Sequence, residues 1–280
     1  MDSTDEGLLQ SGEFDDVVTV VGKLYGRGGV APGCLMLVGA RCRDLLNYRC
    51  GLESPGRTTQ DTDVAVAVAS WDEFRSISDK FPSQSPAWQR VIVDGVPVDM
   101  VPFGDLEEPP GQIGGIDRSE PWGMDVSGYG RVFSTADEVV IDGTGTLKIP
   151  TVAGFALLKL FAWLDRGPRR IHKDASDLSL ILFWYYRDTD YLYEEDNLWV
   201  FDDEQLLDSE WYRAAALMAE SIRSTCDVDT LENLSCRIAD CDRRELTAHF
   251  SCRESSALSG RVLARTVEIL LDRLVSGNGL

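Results

Sequence analysis

The sequence predicts an α+β protein, with a mixed sheet and flanking helices over residues 1–150 and a helical half over residues 151–280. Three observations predict it. Up to about residue 150, short apolar runs rich in Val and Ile alternate with helical stretches and with Gly/Pro turns. Two such runs flank Asp94-Gly95, a strong hairpin signal. Beyond residue 150 the apolar residues recur at helical spacing, and no repeat or low-complexity tract interrupts them.

The elements are expected in this order. Residues 13–25 form a short helix, ended by Gly26, Gly28 and Gly29. CLMLVG (34–39) reads as a buried strand that runs directly into the helix ARCRDLLNYR (40–49). Residues 51–60, with Pro55 and Gly56, form a polar loop, and residues 62–68 a second strand. Ser70 caps a helix that reaches about Lys80, with Glu73 at its third position. The hairpin occupies residues 88–104, with Pro97 weakening its second arm near the start. Residues 105–127, rich in Pro, Gly and acid, read as a long loop. RVFS, EVVID and TLKIP then form a second β-rich region with Gly143 and Gly145 at its turn. VAGFALLKLFAWLDR (152–166) is almost apolar all round and is expected as a buried helix. KDASDLSLILFWYYR (173–187), SEWYRAAALMAESIRS (209–224) and SALSGRVLARTVEILLDRL (256–274) are further helices.

The bulk properties bound the function. A chain of 280 residues makes one large or two modest domains, and 44% apolar with 26% charged residues suits a globular protein with a real core. No run of eighteen apolar residues is present, so no membrane span is expected. The acidic start, MDSTDEGLLQSGEFDD, lacks the pattern of a signal peptide, and the expected location is cytoplasmic. Seven cysteines without Cys-x-x-Cys spacing, and only two histidines (His172 and His249), predict free thiols rather than a zinc site. The formal net charge of −20 argues against a protein that grips a long stretch of nucleic acid, since such binding needs basic surface. A nucleic-acid substrate would need a local basic path; a small substrate or a basic protein partner fits the charge better.

RTTQDTDVAVAV (57–68) carries the chemistry. Side chains alternate along a strand, so Asp61 and Asp63 point the same way and can converge on one hard cation. Asp99 lies between Val98 and Met100, where a lone carboxylate is costly unless it is paired or binds metal. The plain alternative is that Asp61 and Asp63 sit in a turn and Asp99 faces water. Upstream, Val38-Gly39-Ala40 joins strand to helix, and glycine there lets a ligand approach the backbone and the helix N-terminus. Arg41 and Arg43 in that first turn oppose the helix dipole. Either an anionic ligand or neighbouring acids such as Asp44 and Glu53 would explain them.

These residues resemble the nucleotidyltransferase fold of the polymerase-β superfamily. The resemblance rests on the Val38-Gly39-Ala40 turn, Asp61-Thr62-Asp63 on the next strand, and Asp99 on a later one. More specifically the chain is similar to the AbiEii-like nucleotidyltransferases, which are bacterial toxin and phage-defence proteins. Lys159 within FALLKLFAW and Lys173-Asp174-Ala175-Ser176-Asp177 match their downstream lysine and Lys-Asp-x-x-Asp-like motif. The similarity covers roughly residues 34–185, with Ala40 standing where the family has Ser or Gly. It implies Mg²⁺ or Mn²⁺ held by Asp61, Asp63 and Asp99, with Asp99 also orienting or deprotonating the acceptor. It implies that Lys159 is catalytic, and that it binds nucleotide together with Gly39, Ala40, Arg41, Arg57, Lys173, Asp174 and Asp177. The helical domain would complete the active site.

The implied reaction moves a nucleoside monophosphate from an NTP to an acceptor hydroxyl. In a toxin-like role the acceptor is a tRNA or other RNA 3′ end, reached through Arg166, Arg169 and Arg170, with a cognate antitoxin as partner. Two alternatives stand beside it: a small-molecule nucleotidyltransferase of the antibiotic-modifying kind, and a non-catalytic scaffold. From the residues alone, Lys159 can instead snorkel, and Lys173, Asp174 and Asp177 can form a solvated first turn. His172 reads as incidental, and the Phe183–Tyr186 aromatic run as core.

Overall fold

A computed structural model describes residues 7, 9, 12–52, 61–83, 87–114, 123–141, 143–166 and 172–275. The chain is α+β and divides into two units, Met1–Thr151 and Val152–Leu280.

The first unit opens with α1 (Asp15–Lys23), whose Val17, Val20 and Val21 are fully buried on one face. It passes into a π-helical turn, Leu24–Gly28, closed by Gly29 in the left-handed region. The strand β1 (Leu35–Val38) is buried at every position and enters α2 (Gly39–Arg49) without a loop. After β2 (Thr62–Ala67) comes α3 (Trp71–Ser78). The hydroxyl of Ser70 accepts the Glu73 amide at 3.2 Å, the cap expected from the sequence.

The hairpin pairs β3 (Arg90–Val93) with β4 (Val96–Phe103) across Asp94 and Gly95, whose φ values of 50° and 89° are those of a type I′ turn. A small ribbon follows, β5 (Gln112–Ile113) with β6 (Met124–Asp125), inside the stretch read as a long loop. RVFS, expected in a strand, lies instead in the helix α4 (Tyr129–Thr135). Gly128 in the left-handed region turns the chain, and its carbonyl accepts the Val132 amide, which starts a helical turn. A second hairpin, β7 (Asp137–Ile141) and β8 (Gly145–Ile149), completes the unit.

Six strands form one mixed sheet in the order β3-β4-β2-β1-β8-β7. β1 is antiparallel to β2 and parallel to β8, and β2 is parallel to β4. Thr62, Val64, Val66 and Val98 are fully buried on the same side of β2 and β4. Each buried Val is worth roughly 1.5–3 kcal/mol. That side fixes the register, because a one-residue slip would bring the alternate row, which carries Asp61, Asp63 and Asp99, into the core.

All described elements of the second unit are helical: α5 (Val152–Arg166), α6 (Lys173–Arg187), α7 (Thr189–Leu192), two 3₁₀ turns, α8 (Glu210–Thr225), α9 (Val228–Asp240), α10 (Arg243–His249) and α11 (Gly260–Val275). Within it α8 contributes the fully buried stretch Ala214–Ala219. The Ser179 and Ser255 hydroxyls pair at 2.6 Å, so neither buried group lacks a partner. Trp184 and Tyr185 of the aromatic run are buried in this core, and Tyr186 stacks on Trp211 with centroids 3.9 Å apart. None of the described helices is long and apolar enough to cross a membrane.

Candidate active site

The sheet register brings the chemistry into one row. Val38 pairs with Asp63, Asp63 with Asp99, and Asp99 with Arg90, so a single line crosses β1, β2, β4 and β3. Directly opposed residues share a face, hence Asp63, Asp99 and Arg90 project together. Asp61, two residues before Asp63, joins them. The buried row of Thr62, Val98 and Val91 occupies the other face.

Arg90 binds two of the three carboxylates. Its Nε donates to Asp99 Oδ1 at 2.7 Å, and its Nη2 donates to Asp99 Oδ2 and to Asp61 Oδ2, the latter at 3.0 Å. The fork on Asp99 is bidentate, the strong geometry for a guanidinium and a carboxylate. This hydrogen bonding to Asp99 raises the Arg90 pKa above its ordinary value; burial opposes it, and the charges of Asp99, Asp61 and Asp63 add to it. Asp63 therefore lies within the same field. Arg90 was not among the residues singled out from the sequence, yet the Asp-Gly turn implies it. A two-residue hairpin loop fixes every pair beyond it, so Arg90 must face Asp99.

Gly39 seats the third carboxylate. Its φ is 66°, and a Cβ built on it would lie 2.7 Å from the Asp63 Cβ and closer still to the carboxylate. The missing side chain is what admits Asp63 to the N-terminal end of α2, where a negative charge is favourable. Ala40 follows as the second helical residue.

The two arginines of that turn have protein partners. Arg41 donates to Asp16 and to the Glu13 carbonyl, lies over the Phe14 ring at 4.7 Å, and is only 13% exposed. Asp16 in turn accepts from the buried Thr62 hydroxyl at 3.3 Å, which ties α1 to β2 behind the carboxylate row. Arg43 is 2% exposed and bonds its neighbour Asp44 through Nε and Nη2 at 3.0 and 2.6 Å. Arg57 lies outside the described residues, as do Arg169 and Arg170.

The remaining candidates lie in the second unit. Lys159 reaches Asp177 at 2.7 Å and Asp174 at 3.2 Å, and Arg166 reaches Asp174 at 2.7 Å. Both carboxylates are only 4% exposed. Burial alone would lower the Lys159 pKa; the charges of Asp177 and Asp174 and their hydrogen bonds overcome it and raise the pKa. Lys159 thus cross-links α5 and α6 rather than snorkelling. Lys173 is exposed at the first position of α6, and His172 stacks on His249 with ring centroids 3.2 Å apart. Cys34, Cys236, Cys241 and Cys252 are free thiols.

The all-oxygen donor set of Asp61, Asp63 and Asp99 has the chemistry of a Mg²⁺ or Mn²⁺ site, and the space at Gly39 sets Asp63 in place. Yet among the described residues no group of three or more His, Cys, Asp or Glu side chains stands in the geometry to hold a metal ion. The cation that draws Asp61 and Asp99 together here is the Arg90 guanidinium. No family model matches the chain. No curated protein matches it either.

Proposed function

We propose that this chain is a metal-dependent nucleotidyltransferase, built on a nucleotidyltransferase-type sheet, that moves a nucleoside monophosphate from an NTP to an acceptor hydroxyl. The observation that carries the reading is the row itself: Asp63 and Asp99 side by side on parallel strands, Asp61 joined to them, and a left-handed glycine at the helix that meets Asp63. Asp61, Asp63 and Asp99 would hold Mg²⁺ or Mn²⁺, which when bound neutralises phosphate charge and activates the attacking oxygen. Asp99, the least exposed member of its ion-pair cluster at 18%, would orient or deprotonate the acceptor hydroxyl. The Asp63 carboxylate fills the space at Gly39, so phosphate oxygens would reach this helix start by way of the metal ion that Asp63 would hold. Transfer of this kind is mainly positioning and charge neutralisation, so no histidine is needed. We carry the AbiEii-like, toxin-like role, with an RNA 3′ end as acceptor and an antitoxin as partner, as part of this proposal.

A second reading, a scaffold without catalysis, is favoured by one observation: Arg90 already pairs with both Asp61 and Asp99. The discriminating experiment incubates wild type and Asp63→Asn with each α-labelled NTP, Mg²⁺, and either total RNA or a panel of cationic small molecules. Label on RNA in the wild type alone supports the RNA-directed enzyme. Label on a small molecule alone selects the antibiotic-type enzyme. Equal label in the variant rejects the site, and no label on any acceptor favours the scaffold.

A further inference from the structure

We propose that Arg90 is an internal, displaceable cation: it holds Asp61 and Asp99 in the metal-free protein, and yields them to a divalent ion while turning onto the phosphates of the incoming nucleotide. The proposal rests on the nucleotidyltransferase reading and adds to it a residue that gates metal binding and contacts nucleotide.

Four observations support it. First, the guanidinium bridges the two carboxylates, so an ion cannot take Asp61 and Asp99 together without moving it. Second, Asp99, Asp61 and Asp63 all act on Arg90, so three carboxylates gather on one face, an all-oxygen donor set of the kind a divalent cation takes. Third, Arg90 has room to move. Its side chain is 38% exposed, and β3, four residues long, is the edge strand of the sheet among the described residues. Fourth, a planar guanidinium fork that has been released from a carboxylate fits phosphate oxygens equally well. One side chain thereby serves two anions in turn, and the two bindings become coupled: an occupied metal site frees the arginine that nucleotide needs.

The coupling predicts effects of opposite sign in one variant. In Arg90→Gln the internal competitor is gone, so Mn²⁺ alone binds roughly 5- to 150-fold more tightly, the usual span for coupled sites. The same variant binds a non-hydrolysable NTP analogue, with Mn²⁺ saturating, more weakly by a similar factor. Arg90→Lys, which keeps the charge and loses the fork, falls between wild type and Gln in both measurements. A purely structural Arg90 would instead lower thermal stability and weaken both ligands together.

The test is a Mn²⁺ titration of the full chain followed by electron paramagnetic resonance of the free ion, with and without the analogue, in wild type, Arg90→Gln, Arg90→Lys and Asp63→Asn. Tighter Mn²⁺ with weaker nucleotide in Arg90→Gln supports the proposal. If Mn²⁺ binding depends on Asp63 but is unchanged or weaker in both Arg90 variants, the gating proposal fails and the nucleotidyltransferase reading stands. If no variant binds Mn²⁺ in an Asp63-dependent way, the reading fails and the gate fails with it.

Discussion

Replacing Gly39 with Ala tests how tightly the turn and the carboxylate row depend on each other. Two costs follow from the structure. The φ of 66° is left-handed, which costs an alanine about 1–2 kcal/mol. The new methyl would also lie 2.7 Å from the Asp63 Cβ, and forcing such an overlap costs about 1–3 kcal/mol. A combined loss of about 3 kcal/mol lowers Tm by roughly 6–12 °C for a unit of this size. Gly33→Ala is the control, because Gly33 has a φ of 77° with nothing within 4 Å of an added Cβ. It should show the backbone cost alone. Adding Asp63→Gly to Gly39→Ala removes the overlapping atoms, so the pair should be more stable than the two single losses sum to. Circular dichroism melts of wild type and the four variants measure all these terms. If Gly39→Ala is as mild as Gly33→Ala, and its effect simply adds to that of Asp63→Gly, the close packing of turn and carboxylate is refuted.

Three other predictions concern stability, its pH dependence and thiol chemistry. Lys159→Met removes a cation from two buried carboxylates and should cost about 3–5 kcal/mol in denaturant unfolding, with part regained in Lys159→Met/Asp177→Leu. The Lys159 pKa is raised on folding, so its stabilisation is full below its unfolded value near ~10.4 and is lost as pH rises through the folded value. Urea midpoints measured up to that range should therefore fall more steeply for wild type than for Lys159→Met. Among the cysteines, exposed Cys236 should take up iodoacetamide first, while burial raises the thiol pKa of Cys34, Cys241 and Cys252 and should slow them; mass mapping of a time course reads the order.

What was legible in the sequence was local. Asp94-Gly95 specified a hairpin because few dipeptides tolerate two positive φ values, and Ser70 with Glu73 specified a helix start. Asp99 was visible as an acid out of place in an apolar strand, and Asp61 and Asp63 as paired acids at the mouth of another. Less legible were features decided by distant partners. The parallel pairing of β8 beside β1 joins residues more than a hundred apart, and no local pattern encodes it. RVFS has strand-like composition, but Gly128 ahead of it turns the chain into a helix. The fate of Arg41 depended on Asp16 across a helix pair, so spacing alone left it open between ligand and ion pair. Arg90 is the instructive omission. Its place opposite Asp99 follows from the hairpin turn by counting, once cross-strand charge pairs are sought as deliberately as metal ligands.

The central claim is that Asp61, Asp63 and Asp99 receive a divalent ion together with a nucleotide. Crystals grown with Mn²⁺ and a non-hydrolysable NTP analogue, measured for anomalous scattering from manganese, address it directly. The account predicts an anomalous peak at about 2.0–2.3 Å from oxygens of Asp61, Asp63 and Asp99, with the Arg90 guanidinium withdrawn from Asp61 and Asp99 and turned to the phosphates. Nucleotide bound with no manganese at the row, and with Arg90 still bridging Asp61 and Asp99, would contradict it.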